Sequence, residues 1–267
     1  MGFYGCSFRF GKNTLEDFGL LIYNFGSSSQ DDSSEFTAQG EMVYDVVQSR
    51  DRINLYGKEN KDTLRLNLVF GVNPDRIDTN KWLTRDEIAR VANWLTGNGY
   101  WDWLSINQED MVDYRYRVVL DKLELLHNGL YPYAFAAEFA ADSSYAYTYP
   151  MNFTWVAGDN IFNNRSTNTG YYRPGMTIYF PSGGESFSII NKSDGNREFK
   201  FTDLPSSVSE IKVDNENQII VDVENDLNLY EYFNHNFFRA VKGKNDIVIT
   251  GNAIVKVRCE FPVNIGV

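Results

Sequence analysis

Cysteine and histidine are nearly missing from this 267-residue chain, which carries two of each. Cys6 and Cys259, near opposite ends, are too few for a disulfide framework and read as small apolar side chains in a reducing compartment. His127 and His235 have no second His four positions on and no Cys at metal-ligand spacing, so the sequence assigns no metal and no cofactor. A Gly-x-Ser-x-Gly elbow is also missing, which leaves acyl transfer without its usual nucleophile. No apolar run approaches the ~18 residues of a membrane-spanning helix, and no basic segment followed by an apolar stretch opens the chain. A soluble protein folding in a cytoplasm, with no membrane partner, is the expectation.

Positive charge is in short supply too. Twenty-five Lys and Arg against 36 Asp and Glu give a formal net charge of -11. Phosphate neutralisation needs clustered cations, so direct nucleic-acid recognition is not expected. A ring of such subunits around DNA would instead present a wall to which phosphates do not adhere. Neither a fixed-period repeat nor a coiled-coil heptad appears.

What the chain does have is aromatic residues, at 15%, and apolar residues recurring at every second position. Leu64, Leu66, Leu68 and Phe70 fall on one face of a strand, with Arg65 and Asn67 on the other. FGLLIY from Phe18, RINLYG from Arg52 and YAFAAEFAA from Tyr133 read as further strands. One helix stands out. Thr84 to Glu87 has capping-box spacing, Ile88, Val91, Ala92 and Leu95 line one face, and Gly97 stops it. The strand YWDWLSI follows, with Trp101 and Trp103 on one face.

Composition shifts towards Ser, Tyr, Asn and Gly after Asp142, which places a domain boundary near residue 148. Downstream, MTIYF, ESFSII, REFKF, SEIKV and QIIVDV recur at close spacing, the pattern of a β-sandwich. The ending reads IIVDVEND, NFFRAV, a turn at Gly243 to Asp246, then IVITG and AIVKVRCEFP. The fold class is therefore mainly β with one N-terminal-domain helix.

Candidate functional residues are few. Asp102, between Trp101 and Trp103, is the most suggestive carboxylate for glycoside hydrolysis, but no partner carboxylate selects itself. A sandwich exposing Trp155, Tyr171, Tyr172 and Tyr179 could hold a glycan by stacking, so a host-surface glycan-binding module is the alternative reading. Tyr100, Trp101 and Trp103, with Trp82 and Trp94 nearby in sequence, are the aromatic density from which a subunit interface is expected. The loop from Gly26 to Glu35, with Asp31, Asp32 and Glu35, reads as a polar arm reaching a neighbouring subunit.

The ordered set of an Ile/Val-Asp strand, an Asn-x-Phe-Phe-Arg segment, a Gly-x-Asn turn and a last strand resembles the C-terminal domain of siphophage distal tail proteins. The early FGLLIY strand, the pair RINLYG and LRLNLVFG, the capped helix with Trp94-Leu95 near its end, the aromatic strand after it and the closing YAFAAEFAADSSYAY resemble the family's N-terminal half. The resemblance implies a ring-forming β-rich domain over residues 1–148 and a galectin-like β-sandwich over residues 149–267. It further implies a non-enzymatic hexameric hub at the virion tail tip, assembled in the host cytoplasm, with a central channel for DNA. Its implied partners are the tail tube, tape measure, tail-associated tip and receptor-binding proteins.

Overall fold

The computed structural model describes residues 7–23, 40–45, 54–60, 63–75, 81–97, 99–167 and 170–265. The chain divides into two compact units, Met1–Tyr147 with Asn264–Val267, and Thr148–Val263. Both are mainly antiparallel β, and among the described residues there is a single α-helix. That helix is too short and polar to cross a membrane.

In the first unit the strands are β1 (Ser7–Phe10), β2 (Asn13–Thr14), β3 (Leu20–Ile22), β4 (Gly40–Asp45), β5 (Asn54–Asn60), β6 (Arg65–Val72), β7 (Asp102–Asn107), β8 (Tyr114–Asn128), β9 (Tyr131–Ala141) and β10 (Ala146–Thr148). The main sheet runs β2-β1-β7-β8-β9-β6-β3, with β10 beside β8. Period-two alternation decides its two faces. Leu66 pairs with Phe139, Leu68 with Ala137 and Phe70 with Phe135, and all six are buried in one core. Arg65, Asn67 and Glu138 point to the other face, where Arg65 bridges Asp121 and Glu138. The expected FGLLIY strand is shorter than its sequence suggested. A 3-10 turn over Leu15–Phe18 ends at Gly19, whose φ of 66° suits glycine, and only Leu20–Ile22 is extended.

Helix α1 (Arg85–Thr96) covers the core face. The Glu87 amide donates to Thr84 Oγ1 at 3.3 Å while the Thr84 amide donates to the Glu87 carboxylate at 2.8 Å, closing the capping box. Val91 and Leu95 are buried, and Ile88 and Trp94 pack beside them. Trp94 stacks on Phe18 at 4.6 Å and on Phe8 at 5.6 Å, and its indole N–H donates to the Phe10 carbonyl at 3.0 Å. It is a core joint between helix and sheet.

β4 and β5 form a two-stranded ribbon of their own, bulged between Val43 and Tyr44, and neither strand pairs with a third among the described residues. Tyr44 and Tyr56 on it are exposed.

The second unit contains β11 (Met151–Trp155), β12 (Gly158–Asn164), β13 (Gly175–Tyr179), β14 (Phe187–Asn191), β15 (Arg197–Phe201), β16 (Glu210–Asp214), β17 (Ile219–Asp222), β18 (Gly243–Thr250), β19 (Ile254–Cys259) and β20 (Pro262–Val263). Sheets ordered β11-β19-β13-β16-β17 and β12-β18-β14-β15 contribute to one buried cluster, so the unit is a β-sandwich. Trp155, Phe162, Phe187, Phe199, Phe201 and Phe261 fill it. β11 and β12 lie in the Asn- and Gly-rich stretch that the sequence left without strands.

The segment between β17 and β18 runs largely without strand pairing, so side chains must satisfy its backbone. Four buried asparagines do much of this. Asn215 accepts from the Phe238 amide at 2.9 Å and donates to the Pro174 carbonyl. Asn191 donates to the Arg239 carbonyl and to Asn245 Oδ1, both at 3.0 Å. Asn245 accepts from the Val241 amide and donates to the Val241 and Gly243 carbonyls, each at 2.9 Å. Asn164 donates to the Val241 carbonyl at 3.2 Å. The expected turn at Gly243 to Asp246 is therefore corrected: these residues open β18, and the reversal lies just before, with Gly243 at φ 81°. Asn245 looked like a turn former because its side chain ties the turn that precedes it.

The opposite edge of the sandwich is sealed. β17 is an edge strand, and the Tyr230 hydroxyl accepts from the Ile220 amide at 3.1 Å and donates to the Gln218 carbonyl at 3.0 Å. Those are positions another strand would need, so edge-to-edge pairing is blocked there.

Asn245→Ala leaves a buried amide and carbonyls without partners, and is expected to cost about 2–4 kcal/mol in chemical denaturation. Tyr230→Phe removes both edge bonds and is expected to cost about 1–2 kcal/mol while promoting self-association. Burial pushes the Cys259 thiol up to about 12, so in a Cys6→Ser background it should stay unreactive to Ellman's reagent until the protein unfolds.

Candidate functional site

The aromatic segment after α1 does not act as one patch. Tyr100 is 81% exposed and Trp101 44% exposed, both just before β7. Trp103 is half-buried on the sheet face opposite Leu104 and Ile106, which enter the core; the Arg115 guanidinium lies 3.6 Å over its ring, and Tyr147 meets it edge-on at 5.7 Å. Tyr147 donates to Ser143 at 3.0 Å, and burial raises its hydroxyl pKa. Burial likewise raises the Asp142 carboxyl, against the pull of the Arg117 cation. Of the five aromatics singled out for an interface, Trp94 is packed against the core, and Trp103 is half-buried under Arg115. Trp82 is partly exposed and stacks on Tyr131 at 4.8 Å.

Tyr131 belongs to a surface the sequence did not single out. β8 and β9 form a long hairpin whose tip places Gly129 at φ 64° and leaves Leu130 91% exposed. Leu130, Tyr131 and Trp82 make an exposed apolar tip. The available signal was an Asn128-Gly129 hairpin turn followed directly by Leu-Tyr.

The Asp102 carboxylate is engaged locally. It accepts from the Trp103 amide at 2.7 Å and sits where a side chain on Gly11 would be, so it locks a local turn. Among the described residues, no three His, Cys, Asp or Glu side chains are grouped to hold a metal ion. Asp31, Asp32 and Glu35 lie outside the described residues.

The four aromatics expected to form a glycan platform do not gather into one. Trp155 is buried against Phe162 and Phe238. Tyr172 is largely buried, and its hydroxyl accepts from the Glu260 amide at 3.0 Å. Tyr171 lies under the Arg239 guanidinium at 3.7 Å, and Tyr179 under the Lys256 ammonium at 4.7 Å. Arg239 in turn forms a bidentate pair with Asp194 at 2.7 and 3.2 Å. The Asn-x-Phe-Phe-Arg segment is accordingly a packing element: Phe237 and Phe238 enter the core and Arg239 clamps the outside.

Residues 3–143 match the phage tail protein N-terminal domain, and residues 144–259 match the phage tail C-terminal domain. Among solved structures, the fold is similar to the crystal structure of SPP1 Dit (gp 19.1), described as a paradigm of the hub adsorption apparatus in phages infecting Gram-positive bacteria. That likeness has a TM-score of 0.63 at 11% identity, covering 96% of this chain and 98% of that one. A chain of the phage P2 baseplate in its activated conformation with Ca is similar at a TM-score of 0.50 and 9% identity, covering 96% and 98%. At such identities the likeness is one of fold. No curated protein sequence matches. Matched along most of its length by these two domains, the chain belongs to the phage tail protein family.

Proposed function

We propose that this chain is the distal tail hub of a long non-contractile phage tail. In this reading the β-rich first unit assembles into a hexameric ring that continues the tail tube and leaves a central channel for DNA. The second unit, a galectin-like sandwich, faces outward and carries tip and receptor-binding proteins. The role is structural, without catalysis, and the acidic composition keeps passing DNA from adhering.

The observation that carries the reading is the β4–β5 ribbon on a fold that follows SPP1 Dit over nearly its whole length. A two-stranded ribbon is marginal alone in water, because neither face has a third strand or a core to bury against. Exposed Val43, Tyr44 and Tyr56 on it gain burial when a neighbouring copy covers them. A closed ring supplies such a neighbour to every subunit through a heterologous contact. Exposed Tyr100 and Trp101 are a second surface of this kind.

Native mass spectrometry of the purified chain tests the proposal. A hexamer is expected, and a Tyr44→Ser/Tyr56→Ser double variant should shift it to smaller species with little change in the stability of the second unit. Trp101→Ala should weaken assembly and leave folding intact. Trp103→Ala should instead cost about 1–3 kcal/mol of stability, through its lost cation–π and edge-on contacts. A chain that stays monomeric at high concentration, or is missing from dissected tail tips, would overturn the hub reading.

A further inference from the structure

The outward face of the β11-β19-β13-β16-β17 sheet carries a groove of about 410 Å³. Its register places side chains in cross-strand rows. One row reads Val221, Lys212, Thr177, Lys256, Thr154, and the next Ile219, Asp214, Gly175, Arg258, Asn152. Gly175 opens the groove: a side chain there would meet nothing within 4 Å, and no positive φ requires glycine. The space is vacant because that residue is small.

Charge in the groove runs against the rest of the chain, whose formal net charge is -11. Asp214 is engaged by its own turn, accepting from the amides of Glu216 and Asn217 at 3.0 Å and from Asn217 Nδ2 at 2.8 Å. Glu260 pairs with Arg258 at 3.2 Å. Lys212 and Lys256 remain, one strand to either side of the Thr177 hydroxyl, with Lys256 held over the Tyr179 ring. Two ammonium groups and a hydroxyl about an open floor suit a carboxylate.

The neighbouring edge strand adds the second element. Ile219 and Val221 turn their side chains to this same outer face and are exposed. Tyr230 seals the strand's backbone edge, so a ligand meets this surface through its face. An extended peptide crossing these strands turns alternate side chains to the sheet, about 6.6 Å apart, so an apolar residue over β17 puts the side chain two positions on between β16 and β13, within reach of Lys212 and Lys256.

We infer that this face docks an acidic, extended segment of a partner protein, in which an apolar residue on Ile219 and Val221 and a carboxylate between Lys212 and Lys256 stand two positions apart, on the same side of the peptide. The inference rests on the hub reading for the setting, a tail partner on the second unit, but its site is defined by this chain alone. A saccharide is the less fitting occupant, because the one aromatic ring beside the groove, Tyr179, is covered by Lys256.

The test uses the full chain and a fluorescent peptide of Leu-Ser-Glu-Ser repeats, with Leu-Ser-Gln-Ser and Ser-Ser-Glu-Ser versions and an oligogalacturonate as comparators, followed by anisotropy at low and high salt. The Glu-Leu peptide should bind best and weaken with salt, and Lys212→Glu or Lys256→Glu should each reduce affinity about tenfold or more. Gly175→Leu, which fills the groove without backbone strain, should do the same with an unchanged melting curve. Equal binding to all variants, no binding of the acidic peptide, or variant-sensitive binding of the galacturonate alone would each overturn the inference. The assembly mass is read separately, so loss of peptide binding in an intact hexamer defeats only this proposal, and a monomer that still binds the peptide defeats only the hub.

Discussion

The constraint on which the second unit depends is that a long crossing segment, paired to other strands only at isolated bridges, must bury its backbone in an aromatic core. Burial of an amide or carbonyl without a partner costs as much as a good hydrophobic contact contributes, so the segment persists only where side chains replace the missing ladder. Asn164, Asn191, Asn215 and Asn245 are those replacements. Asparagine suits the task because one short side chain both donates and accepts, so Asn245 can hold the Val241 amide and two carbonyls at once. With the backbone fixed, Phe237 and Phe238 drop into the cluster that joins the two sheets and Arg239 is delivered to Asp194. Sheet packing, segment path and the surface clamp are consequences of one buried amide network.

Aromatic residues sort by the same logic. Those with a partner for their polar atom or several rings to meet are packed within: Trp94 under the Phe10 carbonyl and between two phenylalanines, Tyr172 on Glu260. Tyr44, Tyr56, Tyr100 and Trp101 are exposed on a ribbon and a strand approach, and Tyr131 meets Trp82 at a hairpin tip beside exposed Leu130. Several large apolar groups on projecting elements are the kind of surface that assembly buries.

How legible this was in the sequence follows the range of each interaction. α1 was readable to the residue because capping box, stripe and stop are all local. β6 was readable because its alternation is strong and its inner face is wholly apolar. β12 was not: Asp159, Asn160, Asn163 and Asn164 resemble a loop, and its strand character comes from seven-residue pairing with β18, far along the chain. The Gly243–Asp246 turn was misplaced for the same reason, since the bonds of Asn245 reach Asn191 as well as its own neighbours. Trp94 and Trp103 looked like interface material because their partners, Phe8, Phe18 and Arg115, are invisible to local spacing.

On the proposed reading, these two classes of surface divide the protein's stability into parts that respond differently to concentration. The sandwich fills a core of its own, and its crossing segment is held by its own asparagines. The β4–β5 ribbon pairs with no third strand among the described residues, so on this reading its share of burial arrives with the next subunit and scales with protein concentration by mass action. A hub built this way holds its outer domain ready for partners while the ring is still incomplete. Each added copy then stabilises the copy before it, which favours closed rings over stray oligomers because only closure leaves no ribbon uncovered.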